Sequence, residues 1–434
     1  MSDNVHHLSP LLRQSSDVLV DHAQGMYVYA EDGSKYMDFA SGIGVLSTGH
    51  CHPRVVEAAK AQIDRVVHAQ YAIMKHQPIL DLSDRLVELL PDAIDSVFFS
   101  NAGTEAVEAS IRLARQATGK PNIIAFRGCF HGRTMGSLAT TSSSAAVRQG
   151  VQPLMGGVVT APFPDTNWYN MSEDDAADFC LRELDYILQV QSVPMETAAM
   201  LIEPIQGEAG YIPASTRFMQ GLQERCNKHG ILLIMDEVQS GNGRSGLQWG
   251  YEHFGVEPDV VVSAKGVASG FQLSFMAAPA ELMSKALPGS QGGTYGGNAV
   301  ACAAGLATLD VMRDEHLVEN AATVGEHLRA RLEAVQSRHP EIGAITGKGL
   351  MIGTHLVDAH GKPDGDRGMK MLKACEHRGL LMIRCGPWGG NVVRWIPPLI
   401  VTAEEIDWAV DQFEDALRET GDGSQQTPKM RSMG

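Results

Sequence analysis

Five short apolar runs constrain this chain most: Val97 to Phe99, Ile123 to Phe126, Ala198 to Ile202, Ile231 to Met235 and Val260 to Val262. They are mostly β-branched or aliphatic on both faces, as strands covered on both sides must be. Between them lie stretches of helical period, such as the one that places Val107, Ile111 and Ala114 on one face. This alternation predicts an open, mainly parallel sheet wrapped by helices, a central α/β domain. Each run passes directly into polar or glycine-rich sequence, and in sheets of this kind ligands bind outside the carboxyl ends of the strands.

The pattern changes after about residue 315, where Val324, Leu328, Leu332 and Val335 mark a helix, two or three strands follow, and Ile406, Val410, Phe413 and Leu417 mark a closing helix. That is the signature of a smaller α+β unit. Near the start, GMYVYAEDGSKYMDF reads as an extended pair around an Asp32-Gly33 turn, too short to fold alone. At 434 residues the chain has room for two or three units with cores of their own. The expected division is an N-terminal segment 1–55 joining a C-terminal small domain 316–420, a large domain 56–315, and a polar tail 421–434.

The 35 Lys and Arg against 51 Asp and Glu give a formal charge of -16, a field that repels phosphate backbones and anionic lipid. Nucleic acid and membrane are therefore not expected partners. Aliphatic runs such as Ile231 to Met235 are far shorter than the roughly 18 residues that cross a bilayer. The opening MSDNVHHLSP has neither a basic nor an apolar leader region, so the cytoplasm is the expected compartment. Seven cysteines are scattered without paired spacing and read as reduced and mostly buried. In His50-Cys51-His52 three adjacent residues cannot converge on one ion, so a loop is expected there and no metal site.

The strand ends carry Ser100-Asn101-Ala102-Gly103-Thr104, Phe130-His131-Gly132-Arg133-Thr134, Glu203 to Glu208, Asp236-Glu237-Val238-Gln239 and Ala264-Lys265-Gly266. SNAGTEAVE is a glycine turn opening a helix, where free amides and the helix dipole favour a phosphate; read alone, it is more readily an ordinary turn with Thr104 as the helix cap. Asp236 closes an apolar strand, so its carboxylate calls for a cation such as a protonated ring nitrogen, or else serves as a cap or ion pair. Lys265 follows another apolar strand, where desolvation would lower its amine pKa as a carbonyl-reactive lysine requires, unless the side chain snorkels to the surface. One strand-helix-strand unit separates the two and puts them on neighbouring strand ends. Phosphate cradle, ring-nitrogen partner and lysine together specify pyridoxal 5'-phosphate.

FFSNAGTEAVE, FHGRT, LIEPIQGEAG, ILLIMDEVQSG, SAKG and GGTYGGN occur in the order and spacing of one family: from about Gly25 to about Leu417 the sequence resembles the class III pyridoxal-phosphate aminotransferases, and among them the 4-aminobutyrate enzymes. The resemblance implies a fold-type I transferase with a mainly parallel seven-stranded sheet in the large domain. It implies Lys265 as the lysine bonded to the cofactor, Asp236 on the pyridine nitrogen, and Gly103 with Thr104 on the phosphate. Phe130 and Val238 would pack on the two faces of the ring, and Gln239 would approach its hydroxyl. Thr294 would reach the phosphate of a neighbouring subunit, making the functional unit a homodimer or a tetramer built from one.

By the same resemblance Arg133 holds the distal carboxylate of an ω-amino acid donor. Arg394, in VVRWIPP, grips the α-carboxylate of glutamate or 2-oxoglutarate, with Glu208 pairing to it when no such carboxylate is present. Ile43 matches the pocket-lining segment of 4-aminobutyrate enzymes, and Glu203 is placed at the ring or the donor, or simply holds its loop. The expected substrates are a small ω-amino acid and an oxo-acid such as 2-oxoglutarate or pyruvate, handled in a ping-pong sequence. The alternative within the family is amino-acid epimerisation, which needs no oxo-acid. Two positions depart from the family pattern: Asn242 stands where phenylalanine is usual, and Ala209 where glycine is common. GNGRSG at Gly241 to Gly246 also matches a dinucleotide-binding fingerprint. DEVQS separates it from its strand, however, and Gly250 and Gly255 break the sequence before a full helix could carry a pyrophosphate, so that reading is rejected.

Overall fold

The structure, a computed structural model, describes residues 7–12 and 14–421; the tail expected from Gly421 onward otherwise lies outside the described residues. A seven-stranded sheet runs in the order Ser96–Ser100, Ser274–Ala278, Val260–Ser263, Leu232–Asp236, Thr197–Ile202, Asn122–Phe126, Val158–Ala161. All five expected strands are present. Two more complete the sheet: Val158–Ala161 at one edge, and Ser274–Ala278, which runs antiparallel to both of its neighbours. The latter, SFMAA, is fully buried but has no β-branched residue, so nothing local marks it as a strand.

Alternate residues of the central strands supply two separate cores. Met200, Ile202, Leu233, Met235 and Val261 pack with Phe218 and Leu222 of the helix Thr216–His229. Ala199, Leu201, Ile234, Val260 and Val262 pack on Val107, Ile111 and Ala114 of the helix Gly103–Thr118. A strand buried on both faces is thus a direct consequence of its unbroken apolar run.

The N-terminal hairpin pairs Tyr27–Ala30 with Lys35–Asp38 around Gly33 at φ +85°, where the Ser34 amide donates to Asp32 Oδ1 at 2.9 Å. Val20–Gln24 adds a strand on one side, and Leu380–Leu381 from the far end of the chain adds one on the other. Met26, Met37 and Phe39 share a core with the helices Leu317–Gln336 and Ala403–Thr420, whose expected apolar positions are all buried. A second four-stranded sheet, Ile342–Lys348, Met351–Leu356, Val392–Trp395 and Ile383–Cys385, lies against them. Among the described residues no helix is long and apolar enough to cross a membrane, and no group of three or more His, Cys, Asp or Glu is placed to hold a metal. All seven cysteines are free, and Cys51 is exposed.

Candidate active site

Parallel pairing of Leu232–Asp236 with Val260–Ser263 sets Asp236 opposite Val262, so Asp236 and Lys265 emerge at adjacent strand ends. Lys265 opens a short 3-10 turn and holds a left-handed backbone, φ +49°. A non-glycine residue there costs roughly 1–2 kcal/mol, so the surroundings must impose it. Part of that restraint comes from Asn242, buried and itself at φ +55°, whose Nδ2 donates to Ser263 Oγ at 3.0 Å and to the Ala264 carbonyl at 3.3 Å. Gly266 completes it, because a Cβ there would sit 2.5 Å from Ser47 Oγ. Asn242 thus ties down the backbone immediately before Lys265.

Burial lowers the Lys265 amine to about 8, against the opposing pull of Glu208. The neutral amine is the reactive form. Addition of pyridoxal phosphate to the cofactor-free protein is therefore expected to accelerate as pH rises from about 7 to 9 and then to level off. An ordinary lysine would go on accelerating to near pH 10.4, and stopped-flow absorbance distinguishes the two profiles.

Asp236 is buried, with Oδ1 accepting from the Val238 amide at 3.0 Å and Oδ2 lying 2.7 Å from His131 Nδ1. His131 is a site residue to which the sequence pattern gives no role. Nothing local distinguishes it, because its partner is on another strand end. Glu203, expected at the ring or donor, is buried and commits both oxygens to backbone, Oε1 to the Phe130 amide at 2.6 Å and Oε2 to Gly207 at 2.8 Å. Burial pushes its carboxyl well above the ordinary range. These two bonds tie the loop after Ile202 to the Phe130 segment.

At the helix start, Ala102 rather than Thr104 occupies the cap position, and Glu105 Oε2 accepts from the Asn101 and Ala102 amides at 2.7 and 3.1 Å. Thr104 lies inside the first turn, its hydroxyl 2.7 Å from Thr134 Oγ1 and 2.5 Å from Ser137 Oγ. The amides of Gly103 and Thr104 stand at the helix N-terminus, where no intrahelical acceptor exists. Gly103 is needed for packing: a Cβ would meet both Val238 methyls at 3.0 Å. Gln239 is buried beside Gly207 with its Oε1 unpartnered among the described residues.

On the other side of Lys265, Arg394 is buried and its Nη2 lies 2.6 Å from Glu208 Oε1, leaving Nε and Nη1 unpartnered among the described residues. Burial opposes ionisation of Glu208, but Arg394, and then Lys265 and Arg133, hold its carboxyl below the usual range. Arg133 is exposed, 5.9 Å over the Phe130 ring. Ile43 is 47% exposed. Its segment is anchored by Ser41 Oγ on the Ile396 carbonyl, just beyond Arg394. Thr294 is not brought into this cluster; it is exposed in a loop tied by Gln70 Nε2 to the Gly293 carbonyl at 3.2 Å.

A half-buried lysine with a lowered pKa, a buried carboxylate on the next strand end and a helix start free to take a phosphate define a pyridoxal-phosphate enzyme of the α/β type. The unpartnered Gln239 oxygen fits a cofactor that carries a hydroxyl, and the free amides at the helix start fit its phosphate. The family profile "Aminotransferase class-III" matches residues 12–417, and the chain belongs to that family, as a pyridoxal-phosphate-dependent transaminase. It is 38% identical to the 4-aminobutyrate aminotransferase GabT of Escherichia coli over 91% of this chain and 92% of that one. It is 37% identical to the 5-aminovalerate aminotransferase DavT of Pseudomonas aeruginosa, again over 91% and 92%. An alanine/serine racemase of Pyrococcus horikoshii is 35% identical over 91% of this chain and 85% of its own. Among solved structures, a PLP-bound amine transaminase from an uncultivated Pseudomonas species superposes with a TM-score of 0.89 at 28% identity, covering 95% of this chain and 98% of that one.

Proposed function

We propose that the protein moves the amino group of a short ω-amino acid, of the 4-aminobutyrate or 5-aminovalerate kind, to an oxo-acid such as 2-oxoglutarate or pyruvate. The observation that carries this is the Glu208–Arg394 pair beside Lys265. A ping-pong transaminase of ω-amino acids must accept in one site a donor with no carboxylate on its reacting carbon and an acceptor that has one. A buried arginine left alone in the first case would be costly. Glu208, with its side chain 31% exposed, can neutralise Arg394 and then withdraw toward solvent when a substrate carboxylate arrives. A racemase binds an α-carboxylate in every turnover and has no use for a removable counterion.

Pyridoxal phosphate, when bound, supplies a carbonyl carbon that exchanges amino groups and a ring that accepts electron density. Gly103 and Thr104 amides would hold its phosphate, Phe130 and Val238 its ring faces, and Gln239 its hydroxyl. Asp236, oriented by His131, would keep a proton on the ring nitrogen. Lys265, as a neutral amine, would bond the cofactor's carbonyl carbon and would serve as the base for the proton on the donor carbon that bears nitrogen. Arg133 binds the donor's distal carboxylate, and Ile43 lines that end of the pocket. A second copy would cover exposed Ile73, Met74 and Tyr295 around the Thr294 loop and receive Thr294 at its phosphate.

The test is a half-reaction. The cofactor-loaded protein is mixed anaerobically with 4-aminobutyrate alone, and formation of pyridoxamine phosphate is followed by absorbance and chromatography. Conversion, reversed by 2-oxoglutarate, is the expected result. No conversion, together with interconversion of alanine or isoleucine enantiomers in the absence of any oxo-acid, would overturn the reading in favour of epimerisation.

A further inference from the structure

Trp168 and Trp388 are 54% and 48% exposed, yet their rings stack at 5.3 Å with an interplanar angle of 23°. They come from distant parts of the chain. Trp168 sits in the one-turn helix Thr166–Tyr169, just beyond the edge strand Val158–Ala161, and Trp388 lies in the turn between Ile383–Cys385 and the Arg394-bearing strand Val392–Trp395. The base of that turn is bonded directly to the counterion segment, the Gly386 amide donating to the Glu208 carbonyl at 2.9 Å. Two residues on, the Gly210 carbonyl accepts from Thr346 Oγ1 at 2.7 Å. Behind the stack is a cavity of about 640 Å³ bordered by Ala209, His355, Asn391 and Val392. The backbone of the turn packs on the start of the helix Gly365–His377, where Arg384 Nη1 donates to the Gly365 and Gly389 carbonyls, while the Trp388 side chain rests on the Trp168 ring.

We propose that the Trp168–Trp388 stack is a clasp that positions the Glu208 segment so that Glu208 pairs with Arg394, and that it thereby sets the balance between the amine donor and the dicarboxylic acceptor. The proposal rests on the exchange of Glu208 for a substrate carboxylate argued above. The clasp and the ion pair are formed together, joined through the Gly386–Glu208 bond, so loss of the stack weakens the paired state. A dicarboxylate then meets less competition for Arg394, while a donor lacking an α-carboxylate finds Arg394 less well neutralised. Both indoles are positioning residues and touch no reacting atom.

The experiment is calorimetric titration of the cofactor-loaded enzyme with glutarate, an unreactive dicarboxylate, alongside kcat/KM for 4-aminobutyrate and for 2-oxoglutarate. In Trp388→Ala and in Trp168→Ala, glutarate is expected to bind about 3- to 10-fold tighter and the donor-to-acceptor ratio of kcat/KM to fall by a similar factor, the worth of one aromatic contact. The double variant should add little further, and Trp388→Phe should retain most of the parent behaviour. Equal losses for both substrates, or unchanged glutarate binding, in the alanine variants would overturn the clasp. Glu208→Ala is the control on the underlying reading. If it leaves glutarate affinity and the ratio unchanged, the exchange of Glu208 is wrong; if it shifts them while the tryptophan variants do not, only the clasp is.

Discussion

Lys265→Ala is expected to lower turnover by about 10⁴-fold or more and to abolish the visible absorbance of cofactor bound through the lysine. In the proposed mechanism the side chain would supply both the bond to the cofactor and the base that moves the substrate proton, and among the described residues no second lysine contributes to the charges around it. The left-handed backbone at Lys265 makes the same demand on any residue with a Cβ, so alanine should leave the fold intact, checked by an unchanged thermal midpoint. Lys265→Arg separates charge from chemistry. A guanidinium keeps the cation among Glu208, Asp236 and Glu203 but cannot lose its proton, and it should be as inactive as alanine. Persistence of the visible band in Lys265→Ala would show that another residue holds the cofactor.

Asp236→Asn is expected to reduce the rate of the 4-aminobutyrate half-reaction by about 10²–10³-fold, the usual effect of removing one preorganised electrostatic partner. The amide fills the same space but cannot hold a proton on the ring nitrogen by opposite charge. His131→Ala should show a smaller loss of the same kind, on the order of tenfold, because it removes the bond that orients Oδ2 while the Val238 amide still holds Oδ1. Asp236→Ala adds a stability cost of about 1–3 kcal/mol, since it leaves the buried His131 Nδ1 without its acceptor. Stopped-flow rates and thermal melts measure these effects separately. An Asp236→Asn enzyme within about threefold of the parent rate would remove the ring-nitrogen role from Asp236.

The adjacency of these two residues is legible from spacing alone. Asp236 and Lys265 lie at the ends of consecutive strands; the expected helix between them is only the 3-10 turn Gly250–Phe254, because Gly250 and Gly255 break the helical run, yet the two strands still pair in parallel. The apolar runs of Thr197–Ile202 and Val260–Ser263 likewise carry their burial on both faces in their composition.

His131 is not legible in this way, although it stands in the FHGRT motif, because its function depends on a 2.7 Å contact with another strand end. The same holds for Asn242, whose side chain reaches the Ala264 carbonyl, and for Glu203, whose two oxygens accept from the Phe130 and Gly207 amides. Thr104 has the local pattern of a cap, yet that pattern cannot show that Glu105 already serves the preceding amides.

Which segments are buried strands, the lysine and aspartate at their ends, and the family to which the chain belongs can all be read from the residues in order. They follow from the period of apolar side chains and from motifs contiguous along the chain. Other features exist only once the chain has packed: Ser274–Ala278 enters the sheet reversed, Leu380–Leu381 joins the N-terminal hairpin, Glu208 closes on Arg394, and two exposed tryptophans from distant loops stack on each other. The physical reason is that a run of side chains encodes how much surface it must bury, whereas the partner that buries it, and the angle at which two distant loops meet, depend on the packing of the whole chain.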